Sequence, residues 1–101
     1  MNVNQNNQEI DLFAIPETFK SVSLKGAKKL SQMAEIPARA THVLIQCKTE
    51  LTYAFTAADA PSGFSIAAGT PKFFCRRDAL GVYLNAAGNG DIVKIQPLSH
   101  D

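Results

Sequence analysis

The most reactive side chains in this sequence of 101 residues are two cysteines and two histidines. A zinc site needs about four such ligands that converge, and they usually come from short repeats such as CxxC or HExxH. Cys47, Cys75, His42 and His100 form no such repeat. Both cysteines continue an alternation of apolar residues, as small buried hydrophobic side chains do. We therefore predict no metal site and no cofactor.

Nucleophilic catalysis needs a nucleophile, a base and a group that orients the base. His42 is the one plausible base on a structured segment, and the "PSGF" of residues 61–64 is typical of a turn, not of a nucleophile elbow. The acidic residues are scattered over turns and chain ends, where they bind backbone groups or water. We therefore predict that the protein is not an enzyme.

The charge balance makes nucleic acid an unlikely partner. Ten Lys and Arg residues against nine Asp and Glu residues give a net charge of +1. Nucleic-acid binding depends largely on neutralising phosphates, for which this chain has little excess charge. It also has no apolar run of about 20 residues and no basic, apolar leader, so we expect neither a membrane span nor secretion.

Alternation of apolar and polar residues is the main structural signal. It is clear in "THVLIQCK", where Val43, Ile45 and Cys47 share one face, and in "LTYAFT" (51–56), and it indicates strands with one buried face. The three residues between these runs, 48–50, suit a hairpin. A second hairpin is predicted around Asn89–Gly90, between the alternating runs "ALGVYLN" (79–85) and "IVKIQPL" (92–98).

Residues 20–36 fit two structures. Val22 and Leu24 alternate with polar residues as in a strand, whereas Leu24, Leu30 and Met33 also share one side of a helix. Gly26 is unfavourable inside a helix by about 1 kcal/mol and suits a bulge between two short strands. We favour a strand for 20–30 and leave 25–36 open between strand and helix.

Together these patterns predict an all-β fold, a small antiparallel β-sandwich or barrel of six or seven short strands. Residues 14–101 form its single domain. Residues 1–13 form a flexible N-terminal arm, because residues 1–9 hold four Asn and two Gln and almost nothing to bury.

The order of segments resembles the small β-sandwich structural proteins that tailed bacteriophages encode in their virion gene clusters. The likeness runs through "SVSLKGAKKL", "IPARATHVLIQC" and "LTYAFT", then "AADAPSG", "FSIAAGTPKF" and "GVYLNAAGNGDIVKIQPL". It covers about four-fifths of the chain and lies in element order and residue character. The loop "AADAPSG" is less charged here than is common in that group.

The resemblance implies a virion structural protein, most simply a capsid decoration or cement protein or another head-accessory protein. Such a protein is made in the host cytoplasm, is commonly a homotrimer and binds the major capsid protein or other virion proteins. We expect the contacts to come from the N-terminal arm, the "AADAPSG" loop and a basic pair. The candidate residues are Ile10, Leu12, Phe13, Asp59, Pro61, Ser62, Arg76 and Arg77.

Two other functions remain open. One is an adaptor of the phage tail or neck with the same fold. The other is a small barrel that binds nucleic acid or carbohydrate through Tyr53, Tyr83 and Arg76–Arg77, since aromatic rings stack on bases. The simpler interpretation of the aromatic residues, Phe64, Phe73 and Phe74 among them, is that they belong to the core.

Overall fold

A computed structural model describes residues 2–3 and 9–100, and it shows one antiparallel sheet of seven strands curled into a nearly closed barrel. The prediction of a small antiparallel all-β fold is confirmed. The sheet contains β3 (Phe13–Ala14), β4 (Lys20–Lys29), β5 (His42–Cys47), β6 (Leu51–Ala54), β7 (Phe64–Ile66), β8 (Lys72–Cys75) and β9 (Tyr83–Ser99). A separate pair, β1 (Asn2–Val3) and β2 (Glu9–Ile10), precedes it, and the short helices are α1 (Leu30–Met33), α2 (Arg76–Gly81) and a 3-10 turn (Ala60–Ser62).

The long strand β9 is the centre of the sheet. β4 pairs along one edge, from Lys20 opposite Ile95 to Lys29 opposite Tyr83. On the other edge β5 pairs with residues 93–98 and β6 with residues 83–85. β8 adds to β5 and β7 adds to β6, so each half of the barrel is attached to a different half of β9.

A bulge bends the β4–β9 pair in its middle. Leu24 pairs with Asp91 but Gly26 pairs with Ala86, so residues 87–90 of β9 lie opposite a single residue of β4. Gly26 has φ +70° and Gly90 has φ +103°, backbone conformations that residues with a Cβ rarely adopt. The predicted bulge at Gly26 is confirmed. The bend turns the two halves of the sheet towards each other.

The space between the halves is filled by apolar side chains. Leu24, Ile45, Leu51, Leu84 and Ile95 are at most 1% exposed, and the described part of the chain contains no buried polar or charged residue. Cys47 is buried among them, as predicted. Because side chains alternate along a strand, the period-two runs of the sequence supply this core directly.

Two predicted hairpins are wrong. Asn89–Gly90 lies inside β9, because β4 pairs with β9 on both sides of it and keeps the strand in one direction. Residues 48–50 connect β5 and β6, but these strands pair with β9 and not with each other. A turn signal shows that the backbone can bend; it does not show which strands then pair.

Residues 25–36, which the sequence leaves open between strand and helix, contain both. β4 continues to Lys29 and α1 begins at Leu30. The alternation of Leu80, Val82 and Leu84 predicts a strand that begins at residue 79, but β9 begins only at Tyr83. α2 extends to Gly81, where the Val82 amide donates to the Asp78 carbonyl at 2.9 Å, and Leu80 is 41% exposed. α2 buries Ala79, a smaller side chain than Leu80.

Part of the predicted flexible arm, residues 1 and 4–8, lies outside the described residues, and its flexibility stays a prediction. Within the described part, β1 and β2 pair with each other, and Phe13 and Ala14 pair with Ser99 and Leu98 at the end of β9. No helix of residues 2–3 and 9–100 is both long and apolar enough to cross a membrane.

A methyl group at Gly63 should destabilise the protein strongly, because it would lie 2.0 Å from the Tyr53 carbonyl oxygen of the neighbouring strand. We expect Gly63→Ala to lower the free energy of unfolding by about 3 kcal/mol or more, at the upper end of overpacking costs. Gly81→Ala is the control, since the nearest atom there, Phe55 Cδ1, is at an ordinary 3.9 Å. Urea denaturation compares the two; equal losses would contradict the close approach.

Candidate functional site

The eight residues predicted to make contacts lie in three separate regions. Ile10 is in β2, Leu12 is half-buried, and Phe13 is in β3 and 53% exposed. Asp59, Pro61 and Ser62 belong to the β6–β7 connection, and Arg76 and Arg77 begin α2. The structure therefore does not assemble them into one site.

The β6–β7 connection is folded against the outside of the sheet. Ala60 is fully buried there, and its carbonyl accepts a hydrogen bond from Thr52 Oγ1 at 2.7 Å. Thr56 Oγ1 donates to Asp59 Oδ2 at 2.9 Å and accepts from the Asp59 amide at 3.2 Å. These bonds fix the loop, and Asp59, Pro61 and Ser62 are exposed on it.

The two arginines have different roles. The Arg76 guanidinium donates to the Pro37 carbonyl, and the Arg76 amide donates to the Thr41 carbonyl at 2.9 Å. This residue holds the loop before β5 against α2. Arg77 is 89% exposed and lies 3.5 Å from Asp78, an exposed pair that contributes little to stability. Arg77 is the member of the pair that is open to a partner.

Tyr53 and Tyr83 lie on opposite faces of the sheet. Tyr53 is opposite Leu84, and its neighbour Ala54 is opposite Tyr83. Successive residues of a strand point to opposite sides, so the two rings cannot contact one ligand. The nucleic-acid or carbohydrate site built on both tyrosines is not present in this form.

Three aromatic side chains instead form a partly exposed row, made of Tyr53, Phe55 and Phe64. The Tyr53 ring lies 5.6 Å from that of Phe64 and 6.5 Å from that of Phe55. Phe64 is 68% and Phe55 50% exposed. Below them, the buried Phe74 meets Tyr53 edge-on at 5.1 Å. Such rings offer flat apolar surface to a ligand.

A lysine lies beside this aromatic row. Lys72 Nζ is 5.4 Å from the centre of the Tyr53 ring and 5.5 Å from that of Phe74, both within cation–π range. The prediction that Phe64 and Phe73 belong to the core is wrong, since they are 68% and 39% exposed. β7 and β8 are the end strands of the order, so among the described residues no further strand pairs beyond them.

The side of the sheet that faces away from the core has few charges over its β4–β9–β5–β8 half. Residues opposite each other in the ladder share a face, which assigns this outer face directly. Among the described residues of this face that pair in this half, Lys94 is the only one formally charged at neutral pH, and the exposed Lys25 lies at the bulge of β4. The paired residues of the outer face are Ser21, Ser23, His42, Leu44, Gln46, Phe73, Cys75, Ile92, Lys94, Gln96 and Leu98. Cys75 is half-buried on this face, not buried as predicted.

A groove of about 630 Å³ opens at one end of the outer face. It lies where β5 and β6 separate on β9, because neither strand pairs with residues 86–92. Gln46 Nε2 donates to the Gly69 carbonyl and the Gly69 amide donates to the Cys47 carbonyl, both at 2.7 Å, and these bonds form one wall. Sequence reasoning missed this groove because it depends on the bulge and on unpredicted pairings.

Comparisons with protein-family models, curated proteins and solved structures found no match to this chain. In the part of the chain that the structure describes, no three His, Cys, Asp or Glu side chains are grouped as metal ligands would be. The surfaces described above are therefore the basis for any functional proposal.

If the aromatic row serves binding and not folding, its loss should cost little stability. We expect Phe64→Ala to lower the free energy of unfolding by about 1 kcal/mol, the value of an exposed aromatic pair. Phe74→Ala, at the buried centre of the same cluster, should cost about 3–5 kcal/mol. Urea denaturation distinguishes the two variants. If Phe64→Ala lowered the free energy of unfolding as much as Phe74→Ala does, Phe64 would have to be counted as part of the core.

Proposed function

We propose that this chain is a non-enzymatic structural protein that acts by binding protein surfaces. Within that class we propose a head-accessory protein of a tailed-phage virion, most simply a capsid decoration or cement protein. Copies associate, with a trimer favoured, and they attach to the major capsid protein or to another virion protein. In this proposal the protein acts on the assembled virion.

The observation that carries the proposal is the amount of apolar surface left on a small, nearly neutral domain. Among the side chains that the structure describes, seven large hydrophobic ones are 39–68% exposed: Phe13, Phe19, Phe55, Phe64, Phe73, Leu80 and Ile92. Two of them, Phe55 and Phe64, lie together around the Tyr53 ring. Single exposed apolar residues are ordinary, but contiguous ones mark binding surfaces. The outer face adds a second indication, since charged residues are depleted at the centres of protein interfaces.

The resemblance in segment order to phage virion proteins supports the more specific part of the proposal. An all-β domain that gains stability on assembly suits a shell component, because binding that favours the native state stabilises it. A tail or neck adaptor would use the same surfaces. The position of the protein on purified particles distinguishes a head-accessory protein from a tail or neck adaptor.

The first test is the mass of the purified protein by light scattering over a dilution series. We expect a defined oligomer, with a trimer favoured, that cosediments with heads of the virus whose genome encodes the chain. Deletion of residues 1–13 should weaken that attachment, because the arm supplies contacts. A strict monomer that binds no virion part would overturn the proposal.

The aromatic row favours a second candidate function, the stacking of a flat ligand such as a nucleic-acid base or a sugar ring. The row places Lys72 next to Tyr53, a combination found in single-strand binding grooves. Titration with a labelled single-stranded oligonucleotide at low salt tests the nucleic-acid form. Binding should weaken steeply with salt and be lost in Phe64→Ala; a flat titration would eliminate it.

A further inference from the structure

We propose that the groove between β5 and β6 receives residues 9–12 of the N-terminal arm of a second copy of the chain. This inference rests on the proposed function, and it names one contact that would hold the copies together. It is argued from the geometry of β9, the composition of the arm and the charges around the groove.

The groove exists because pairing is interrupted on one edge of β9. β5 ends its pairing at Val93 and β6 begins its pairing at Asn85. Between them the chain crosses through the exposed residues 48–50, and residues 87–90 form the bulge of β9. The result is an open slot beside a strand edge, a place where an extended segment can bind.

The side chains around the slot select the chemistry of what binds. Ile92 is 52% exposed and supplies apolar surface, and the exposed Lys48 and Lys94 supply two positive charges. The one carboxylate of the lining, Asp91, lies against the bulge: its Oδ2 is 2.8 Å from where a Gly88 Cβ would be. The slot therefore favours a segment that carries both apolar and acidic residues.

The arm has this composition. In "EIDL", Ile10 and Leu12 alternate with Glu9 and Asp11, so an extended conformation puts the apolar residues on one side and the acids on the other. Residues 1–13 contain no Lys or Arg. The two carboxylates of this segment are opposite in charge to Lys48 and Lys94 beside the slot. β1 takes only one edge of β2, which leaves the other edge for pairing.

The arm of the same copy is on the wrong side of the sheet to fill its own groove. Leu98 pairs with Ala14 on one edge and with His42 on the other, so β3 lies on the edge opposite to β5. β3 is antiparallel to β9, and the chain before Phe13 therefore leads past Ser99, away from the groove. The occupant must come from another copy.

Charge reversal tests the contact in the full chain. We expect Asp11→Lys and Lys94→Glu each to weaken self-association about tenfold, because a like-charge pair replaces an opposite one. The double variant Asp11→Lys/Lys94→Glu should restore association to within about twofold of the unchanged protein. Light scattering over a dilution series at low salt gives the dissociation constants, since about 0.1 M salt already screens charges about 10 Å apart.

Matched controls separate this contact from a general charge effect. Lys28→Glu and Glu35→Lys change the net charge equally at exposed positions outside the groove, and they should leave association unchanged. Circular dichroism checks that each variant is folded. Lys48→Glu replaces Lys94→Glu if the latter fails to fold.

The outcomes also separate this contact from the proposed function, with cosedimentation on virus heads measured in parallel. An oligomer that is insensitive to all these reversals, or a double variant that is not restored, overturns the arm–groove contact alone. A monomeric protein that still binds virus heads also overturns the arm–groove contact and leaves the proposed function standing. A monomer that binds no virion part overturns both. Weakening by the groove and arm reversals, restored in the double variant, establishes the contact.

Discussion

The backbone pairing of β9 is the interaction on which the rest of the structure depends. β4 pairs along one edge of it, while β5 and β6 share the other edge, so both halves of the barrel are held by one strand. A strand that pairs on both edges satisfies its amide and carbonyl groups inside the fold. Its length is also what allows a single bend to bring two halves of a sheet over one core.

That bend also lies beside the groove. The bulge at residues 87–90 turns β9, and the same change leaves residues 86–92 without a strand on the β5–β6 edge. The groove is therefore a direct consequence of the curvature that closes the barrel. Bulges commonly occur where a sheet must curve. Here the same irregularity also borders the groove.

The closure of the barrel leaves the aromatic row exposed. β7 and β8 are the last strands of the two halves in the described part of the chain, and Tyr53 of β6 meets Phe74 of β8 between these halves. Phe64 follows the alternation that buries Ile66 but lies where the sheet ends. The alternation of the strand places the Phe64 side chain on the inward side, whereas the shape of the whole barrel leaves it exposed.

The sequence alone determined the elements that depend on neighbouring residues. The alternation of Val43, Ile45 and Cys47 predicts a strand and its buried side, because side-chain direction follows from backbone geometry. Gly26 predicts a bulge, because few other residues accept its backbone conformation. The all-β class follows from many such short runs and their turns.

Only the tertiary structure decided which strands pair and what remains exposed. Residues 48–50 and Asn89–Gly90 have the composition of hairpin turns. Pairing with β4 on both sides of Asn89–Gly90 nevertheless keeps β9 running in one direction through its bulge, and residues 48–50 connect two strands that pair with β9 and not with each other. These pairings join residues far apart in sequence, and their free energy outweighs a local turn preference. The groove, the outer face and the aromatic row all arise from them, because each is formed by strands that meet only in the folded barrel.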